Sequence, residues 1–145
     1  MYSVLLDKVK LVLIVLLALL LRDVSAQKYN IKTYSVNDGL PSSQVYDVHL
    51  DDNGYVWFAT ASGLVKFDGI TFKTYDKSNG LKDELTLDIF VDSKKNMWAS
   101  TEVGGVALFK EDSLIYIPEL ALLDTILVNY ISESPLGELW FSTNS

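Results

Sequence analysis

From residue 45 onward, apolar and polar residues alternate over short runs, and each run is closed by a cluster of turn-forming residues. Residues 45–50 and 55–60 read as two strands separated by Asp51-Asp52-Asn53-Gly54, a turn rich in residues that tolerate left-handed or side-chain-bonded backbone. Residues 64–67 and 70–75 read as two more, joined by Asp68-Gly69, a two-residue hairpin signal. The same series returns as strands over 85–91, 96–101, 106–110 and 114–118, and begins again at 126–132 and 138–143. Alternation within the first two strands of each series is imperfect, as expected for a sheet covered on both faces.

The series has a period. Trp57, Trp98 and Trp140 follow one another at 41 and 42 residues. Sliding the chain by 41 superposes Lys32, Thr33 and Tyr34 on Lys73, Thr74 and Tyr75, Gly39-Leu40 on Gly80-Leu81, and Asp47 and Asp51 on Asp88 and Asp92. Thr60 falls on Thr101, Gly63 on Gly104 and Val65 on Val106. Repeats of roughly 40 to 45 residues that read as four short strands are the mark of propeller blades, since helical repeats of similar length carry a 3.6-residue period. The predicted fold is all-β: a partial β-propeller of about two and a half four-stranded antiparallel blades after a helical N-terminal signal peptide. Blade one spans 45–75, blade two 85–118 and a partial blade three 126–143, while residues 29–36 align with the last strand of a blade and are expected to complete the ring's final blade. A tryptophan at a fixed repeat phase belongs where one blade stacks on the next. Burying its 150 to 250 Å² contributes about 4 to 6 kcal/mol as an upper bound. The glycines Gly39, Gly80, Gly63 and Gly104 share that structural role. Closed rings need about four to eight blades, so two faces are expected to lie open, with Trp140 half covered. This reads as the N-terminal part of a longer protein, against the competing reading of a short chain that builds its ring from several copies.

Lys8 and Lys10 precede the apolar run 11–21, followed by Val24-Ser25-Ala26, which is the plan of a signal peptide over 1–26 with cleavage after Ala26. The run is shorter than the roughly 20 residues of a membrane span, so an uncleaved anchor is the alternative reading rather than the favoured one. The remainder holds 9 basic and 17 acidic residues, a net charge of −8, and lacks the clustered Lys and Arg that nucleic acid or an anionic lipid surface attracts. No partner of that kind is expected, nor any membrane contact beyond the signal peptide. With no cysteine, an exported chain has no disulfides and no thiolate chemistry.

Catalytic patterns are absent from the sequence. His49 is the sole histidine, which excludes a multi-histidine metal centre, and it reads as a polar rim residue of an inner strand. Ser42, Ser43 and Ser62 lack a nucleophile elbow. Gly54 at position six of a calcium loop would put His49 at position one and Thr60 at twelve, both wrong for that metal. Asp47, Asp88, Glu102 and Glu133 are available as a carboxylate pair for glycoside cleavage, but the sequence gives no separation between them. Propellers take ligands at the channel mouth, on the loops between blades and between middle strands; here those loops offer Ser62, Asn79, Asp83 and Glu102 as ligand-binding candidates. No catalytic residue, metal or cofactor is expected.

Residues 52–69, with Phe72, Tyr75 and Gly80-Leu81 after them and the 39–45 phrase Gly-Leu-Pro-Ser-Ser-Gln-Val before, resemble the two-component regulator propeller repeat. The likeness runs from Tyr29 to Ser145, with departures at Ala59, at 94–96 and at 122–124. The resemblance implies the periplasmic sensor region of a hybrid two-component histidine kinase: an exported ligand-sensing segment with no kinase part, whose partners are a small-molecule or glycan ligand and the remaining blades of a longer chain. The alternative is a fragment of a secreted propeller enzyme, a lyase or glycan hydrolase.

Overall fold

The computed structural model of the protein describes residues 2, 6–8, 10–14 and 29–144. The chain divides into two units, residues 1–32 and 33–145. In the first, residues 6–8 and 10–14 are helical and exposed. Among the described residues no helix is long and apolar enough to cross a membrane. The expected cleavage point after Ala26 lies outside the described residues.

The second unit is three antiparallel sheets. Strands β1 (Val45–Leu50), β2 (Val56–Thr60), β3 (Gly63–Phe67) and β4 (Phe72–Tyr75) form the first in sequence order. The second repeats it with β5 (Thr86–Val91), β6 (Met97–Thr101), β7 (Val106–Lys110) and β8 (Ser113–Tyr116). Then β9 (Val128–Glu133) pairs with β10 (Leu139–Thr143) alone. The meander follows from turns that the residues dictate: Asp51 Oδ1 accepts from the backbone N–H groups of Asn53 and Tyr55 at 2.9 and 3.0 Å, closing the β1–β2 turn. Asp92 does the same with Lys94 and Asn96 at 2.9 and 2.8 Å.

Each aspartate also fixes its tryptophan. Trp57 Nε1 donates to Asp51 Oδ2 at 2.9 Å, and Trp98 Nε1 to Asp92 Oδ2 at 3.0 Å, so a buried indole has its one donor satisfied. The first seam packs Trp57, Ala59, Leu64 and Tyr75 of blade one on Ile89, Met97 and Ala99 of blade two, with Val91, Phe109 and Leu114 around them. The second packs Trp98 and Val106 on Val128 and Ile131, with Phe90, Leu108, Leu139 and Phe141 around them. Trp57 is 1% exposed and Trp98 6%, whereas Trp140 is 61% exposed.

Three sequence expectations are corrected. Residues 29–35 form no strand; residues 36–38 make a 3-10 turn instead. A strand exists only through a neighbour's ladder, and none of the three sheets offers one to this segment. Even so, Tyr34 stands edge-on to Phe67 at 4.8 Å, as Tyr75 stands to Phe109 at 5.0 Å, so the repeat phase survives without the strand. Second, Trp57 pairs across to Lys66 but Trp98 pairs to Leu108. The β6–β7 turn therefore holds one extra residue, and Gly105 and Ala107, not Gly104 and Val106, stand where Gly63 and Val65 do. Third, the strand expected over 114–118 ends at Tyr116, and Pro118 opens a 3-10 helix over Pro118–Thr125 whose Leu120 and Leu123 pack into the second seam.

Candidate functional site

Inner strands β1, β5 and β9 begin with irregularities that the sequence does not advertise. Register shifts between Val45 and Asp47, between Thr86 and Asp88, and between Ser142 and Thr143 leave Tyr46, Leu87 and Asn129 as extra residues. Such bulges re-aim side chains at strand ends. Here the three bulges converge, and Tyr46, Asp47, Leu87, Asp88, Asn129 and Tyr130 line a cavity of about 230 Å³. Each inner strand starts at this end of its sheet, so the cavity lies between the first residues of the three inner strands.

Two of the lining carboxylates also tie blades together. Asp47 Oδ2 accepts from the backbone N–H of Ile89 at 3.0 Å and its Oδ1 from Val48 at 2.8 Å. Asp88 Oδ2 accepts from the backbone N–H of Ile131 at 2.7 Å. Partial burial, and then the neighbouring Asp47 carboxylate, push the Asp88 carboxyl up against the opposing pull of its N–H donors Ile131 and Ile89. The third blade carries Tyr130 at this phase, which has no carboxylate to extend the series. The lining thus presents two tyrosines, an amide and two carboxylates, with no lysine or arginine among them. Such a wall offers rings and oxygen acceptors to a neutral or cationic polar ligand. Among the described residues no group of three or more His, Asp or Glu side chains could hold a metal ion.

All four candidates from the sequence lie at this same end, and none lines the cavity. Asp83 and Glu102 come together: Asp83 Oδ2 accepts from Val103 N at 3.2 Å and Oδ1 meets Lys77 Nζ at 3.4 Å, while Glu102 N donates to Leu85 O at 2.9 Å. The Glu102 side chain points to solvent. Asn79 sits on Asp76 and ends the 3-10 turn over Lys77–Asn79. Ser62, on the matching turn of blade one, donates its backbone N–H to Thr60 Oγ1 at 3.1 Å. These are turn-building contacts. The lining residues that sequence reasoning missed were signalled only by Asp47 falling on Asp88 and by Tyr130 interrupting that match. His49 lies at the other end of β1, half-buried in a second cavity of about 240 Å³ with Asp51, Trp57, Lys66 and Lys95.

Residues 39–62 match the family model of the two component regulator propeller. The likeness to that family model is confined to those residues, which hold β1, β2 and the turn between them. Over 61 residues it is 39% identical to histidine kinase P4 of Formosa agariphila, covering 41% of this chain and 4% of that kinase. The fold superposes with a TM-score of 0.64 and 26% identity on the crystal structure of an extracellular domain assigned to a hybrid two-component system of B. thetaiotaomicron, over 79% of this chain and 18% of that one. The chain therefore spans a small part of both relatives. The four-stranded sheets of this chain are thus similar in fold to that extracellular domain.

Proposed function

We propose that this chain is an exported, ligand-sensing propeller segment of a two-component signal transduction receptor, itself non-catalytic, with the ligand taken at the channel mouth. The observation that carries the reading is the cavity made by the bulged starts of three successive inner strands, since propellers concentrate ligand contacts at that mouth. The likeness to an extracellular domain supports export, and the residues 1–26 carry the charge and apolar plan of a leader. A lyase or hydrolase reading would need a free carboxylate pair. Asp47 has both oxygens engaged by backbone N–H groups, and Asp88 is held by Ile131 and Ile89, an arrangement that favours binding over proton transfer.

The test is a thermal-shift and calorimetric screen of the full chain with neutral, amino-substituted and acidic oligosaccharides. A ligand should raise the melting temperature, and Tyr130→Ala or Asp88→Asn should weaken its binding about tenfold or more, the order of one lost charge-assisted hydrogen bond or ring contact. Binding that both variants leave unchanged would move the site elsewhere. Export is tested by fusing residues 1–26 to a periplasmic reporter and sequencing the mature N-terminus; a first residue other than Gln27 would refute cleavage after Ala26.

A further inference from the structure

One cross-strand row differs between the two seams. In blade two, Phe90, Trp98 and Leu108 pair across strands β5, β6 and β7, and all three pack into the apolar core of the second seam. The same row of blade one reads His49, Trp57 and Lys66. An imidazole and an ammonium thus stand where the other seam has a phenyl ring and a leucine, on either side of a buried tryptophan. At that place lies the cavity of about 240 Å³ that holds His49, bounded on the blade-two side by Val91, Met97 and Phe109. Both walls belong to four-stranded blades, so the cavity is a feature of the seam between them.

The carboxylates at this cavity are already engaged. Asp51 Oδ1 accepts from Asn53 N and Tyr55 N, and its Oδ2 from Trp57 Nε1. Asp52 Oδ2 meets Lys95 Nζ at 2.8 Å across the seam. Lys66 is different. Its ammonium lies 4.1 Å from the centroid of the Tyr55 ring and 5.3 Å from that of Trp57. The carboxylate nearest to it, Asp112 Oδ1, is 3.9 Å away, beyond hydrogen-bond reach. Asp112 is itself held by Lys73 and by the Tyr75 hydroxyl. Among the described residues neither the Lys66 ammonium nor the His49 ring has a hydrogen-bond partner. What the cavity has to spare is therefore N–H donors, one of them charged, beside an apolar wall.

We propose that this seam cavity is a second binding site, which takes a small organic anion: a carboxylate on Lys66 and His49, carried by a compact apolar body that lies against Val91, Met97 and Phe109. A carboxylate accepts from two donors at once. An ammonium flanked by aromatic rings has already lost part of its water, which strengthens its pairing with an anion. The volume sets the size. Pockets for drug-sized ligands begin at about 300 Å³, so this one suits a ligand of about ten heavy atoms, a single ring with its acid group. The site is separate from the cavity at the strand starts and does not rest on the sensing reading; either stands if the other fails.

The probe is benzoate, with benzamide as its uncharged counterpart and acetate as the acid group without the ring. His49 is the sole histidine of the sequence, so its ring C–H protons give an unambiguous signal in a proton magnetic resonance spectrum of the full chain. Titration with benzoate should move that signal along a saturable curve, while benzamide and acetate each bind at least about tenfold more weakly, the worth of a charge-assisted hydrogen bond or of a buried ring. Lys66→Gln should weaken benzoate about tenfold or more, and Lys94→Gln, at an exposed lysine that does not line the cavity, should leave it unchanged. The pair His49→Phe and Lys66→Leu, which gives blade one the row of blade two, should abolish binding as read by calorimetry. Circular dichroism checks that this pair is folded; should it unfold, His49→Gln replaces it and should weaken binding. Benzoate that leaves the His49 signal in place, benzamide that binds as tightly, or an affinity that survives Lys66→Gln or falls equally with Lys94→Gln would each overturn the proposal.

Discussion

Trp57 and Trp140 stand at the same phase of one repeat, yet the first is 1% exposed and the second 61%. Their own strands do not explain the contrast, since Trp57 pairs with His49 and Trp140 with Ser132 in the same antiparallel register. The difference is the neighbour. Blade two lays Ile89, Met97 and Phe109 over the first ring, and no sheet of this chain covers the second. The turns differ as well: Asp51 and Asp92 clamp their indoles, while Ser134 serves its turn. Burial here is a property of the pair of faces, and the repeat encodes one face at a time.

The sharpest way to break that comparison is to truncate each ring. Trp57→Ala should lower unfolding free energy by about 3 to 5 kcal/mol, the range for large aromatic truncations in cores, and Trp140→Ala in dilute monomer by less than about 1 kcal/mol. Urea denaturation followed by circular dichroism measures both, and equal losses would mean that Trp140 is covered in solution. Next in size are the turns. A Cβ on Gly63, at φ +120°, would lie 2.4 Å from the Tyr75 carbonyl oxygen, so Gly63→Ala should cost about 2 to 3 kcal/mol. Gly137, in the turn of blade three, also has positive φ but meets nothing nearer than Glu133 Oε1 at 3.7 Å. Its alanine variant should cost only about 1 kcal/mol.

A third substitution compares the two seams. Ser100 is fully buried with a hydroxyl that has no partner, opposite Asp88, whereas blade one has Ala59 in that place. Removing an unsatisfied buried hydroxyl without leaving a sizeable cavity is favourable, so Ser100→Ala should raise stability by about 1 kcal/mol in the same assay. A loss instead would point to a bridging water at the second seam.

The smallest expected effect is on pH dependence. Burial pushes the Asp51 carboxyl up, but donors from Trp57, Tyr55 and Asn53 together with Lys66 outweigh it and hold it below the ordinary carboxylate value; burial at Asp92 is likewise outweighed by Asn96, Trp98 and Lys94. A carboxylate with a depressed folded-state value stabilises above the unfolded-state value, and that stability is lost as pH falls through the folded one. Unfolding free energy should therefore decline as the solution is taken from neutral into the acid range below about pH 4. The decline should be shallower in the Asp51→Asn, Asp92→Asn double variant. Ser134→Ala should leave the slope as it is, since serine does not titrate there.

Much of the fold was legible because propeller blades are local objects. Strand lengths follow from alternation, turns from Asp51-Asp52-Asn53-Gly54 and Asp68-Gly69, and blade order from the recurrence of Trp57 at Trp98, all interactions within one repeat. The 3-10 helix over Pro118–Thr125 was not legible, having no one-sided apolar stripe and no cap by a side chain. Nor was the one-residue shift after Thr101, which two adjacent glycines, Gly104 and Gly105, hide from an identity match. The channel-mouth candidates illustrate the same divide. Loop order puts Ser62, Asn79, Asp83 and Glu102 at the end of the sheets where the inner strands begin, yet none of them lines the cavity there. Tyr46, Asn129 and Tyr130 reach the cavity through bulges, which arise from how a strand meets its partner and leave no mark in a single strand's residues.

What this chain's residues determine unaided is the blade: four short strands, the aspartate that closes each first turn and grips an indole, and the phase that puts a tryptophan on one chosen face. Those interactions span six residues or fewer, as Asp51 to Trp57 and Asp92 to Trp98 show, and so they are written in consecutive sequence. What tertiary structure alone decides is which tryptophan becomes core, which carboxylate meets a backbone N–H some forty residues away, as Asp47 meets Ile89 and Asp88 meets Ile131, and where three strand ends enclose a cavity. Each depends on the distance between separate sheets, a quantity set by side-chain packing at the seam and by the presence of a neighbour to pack against.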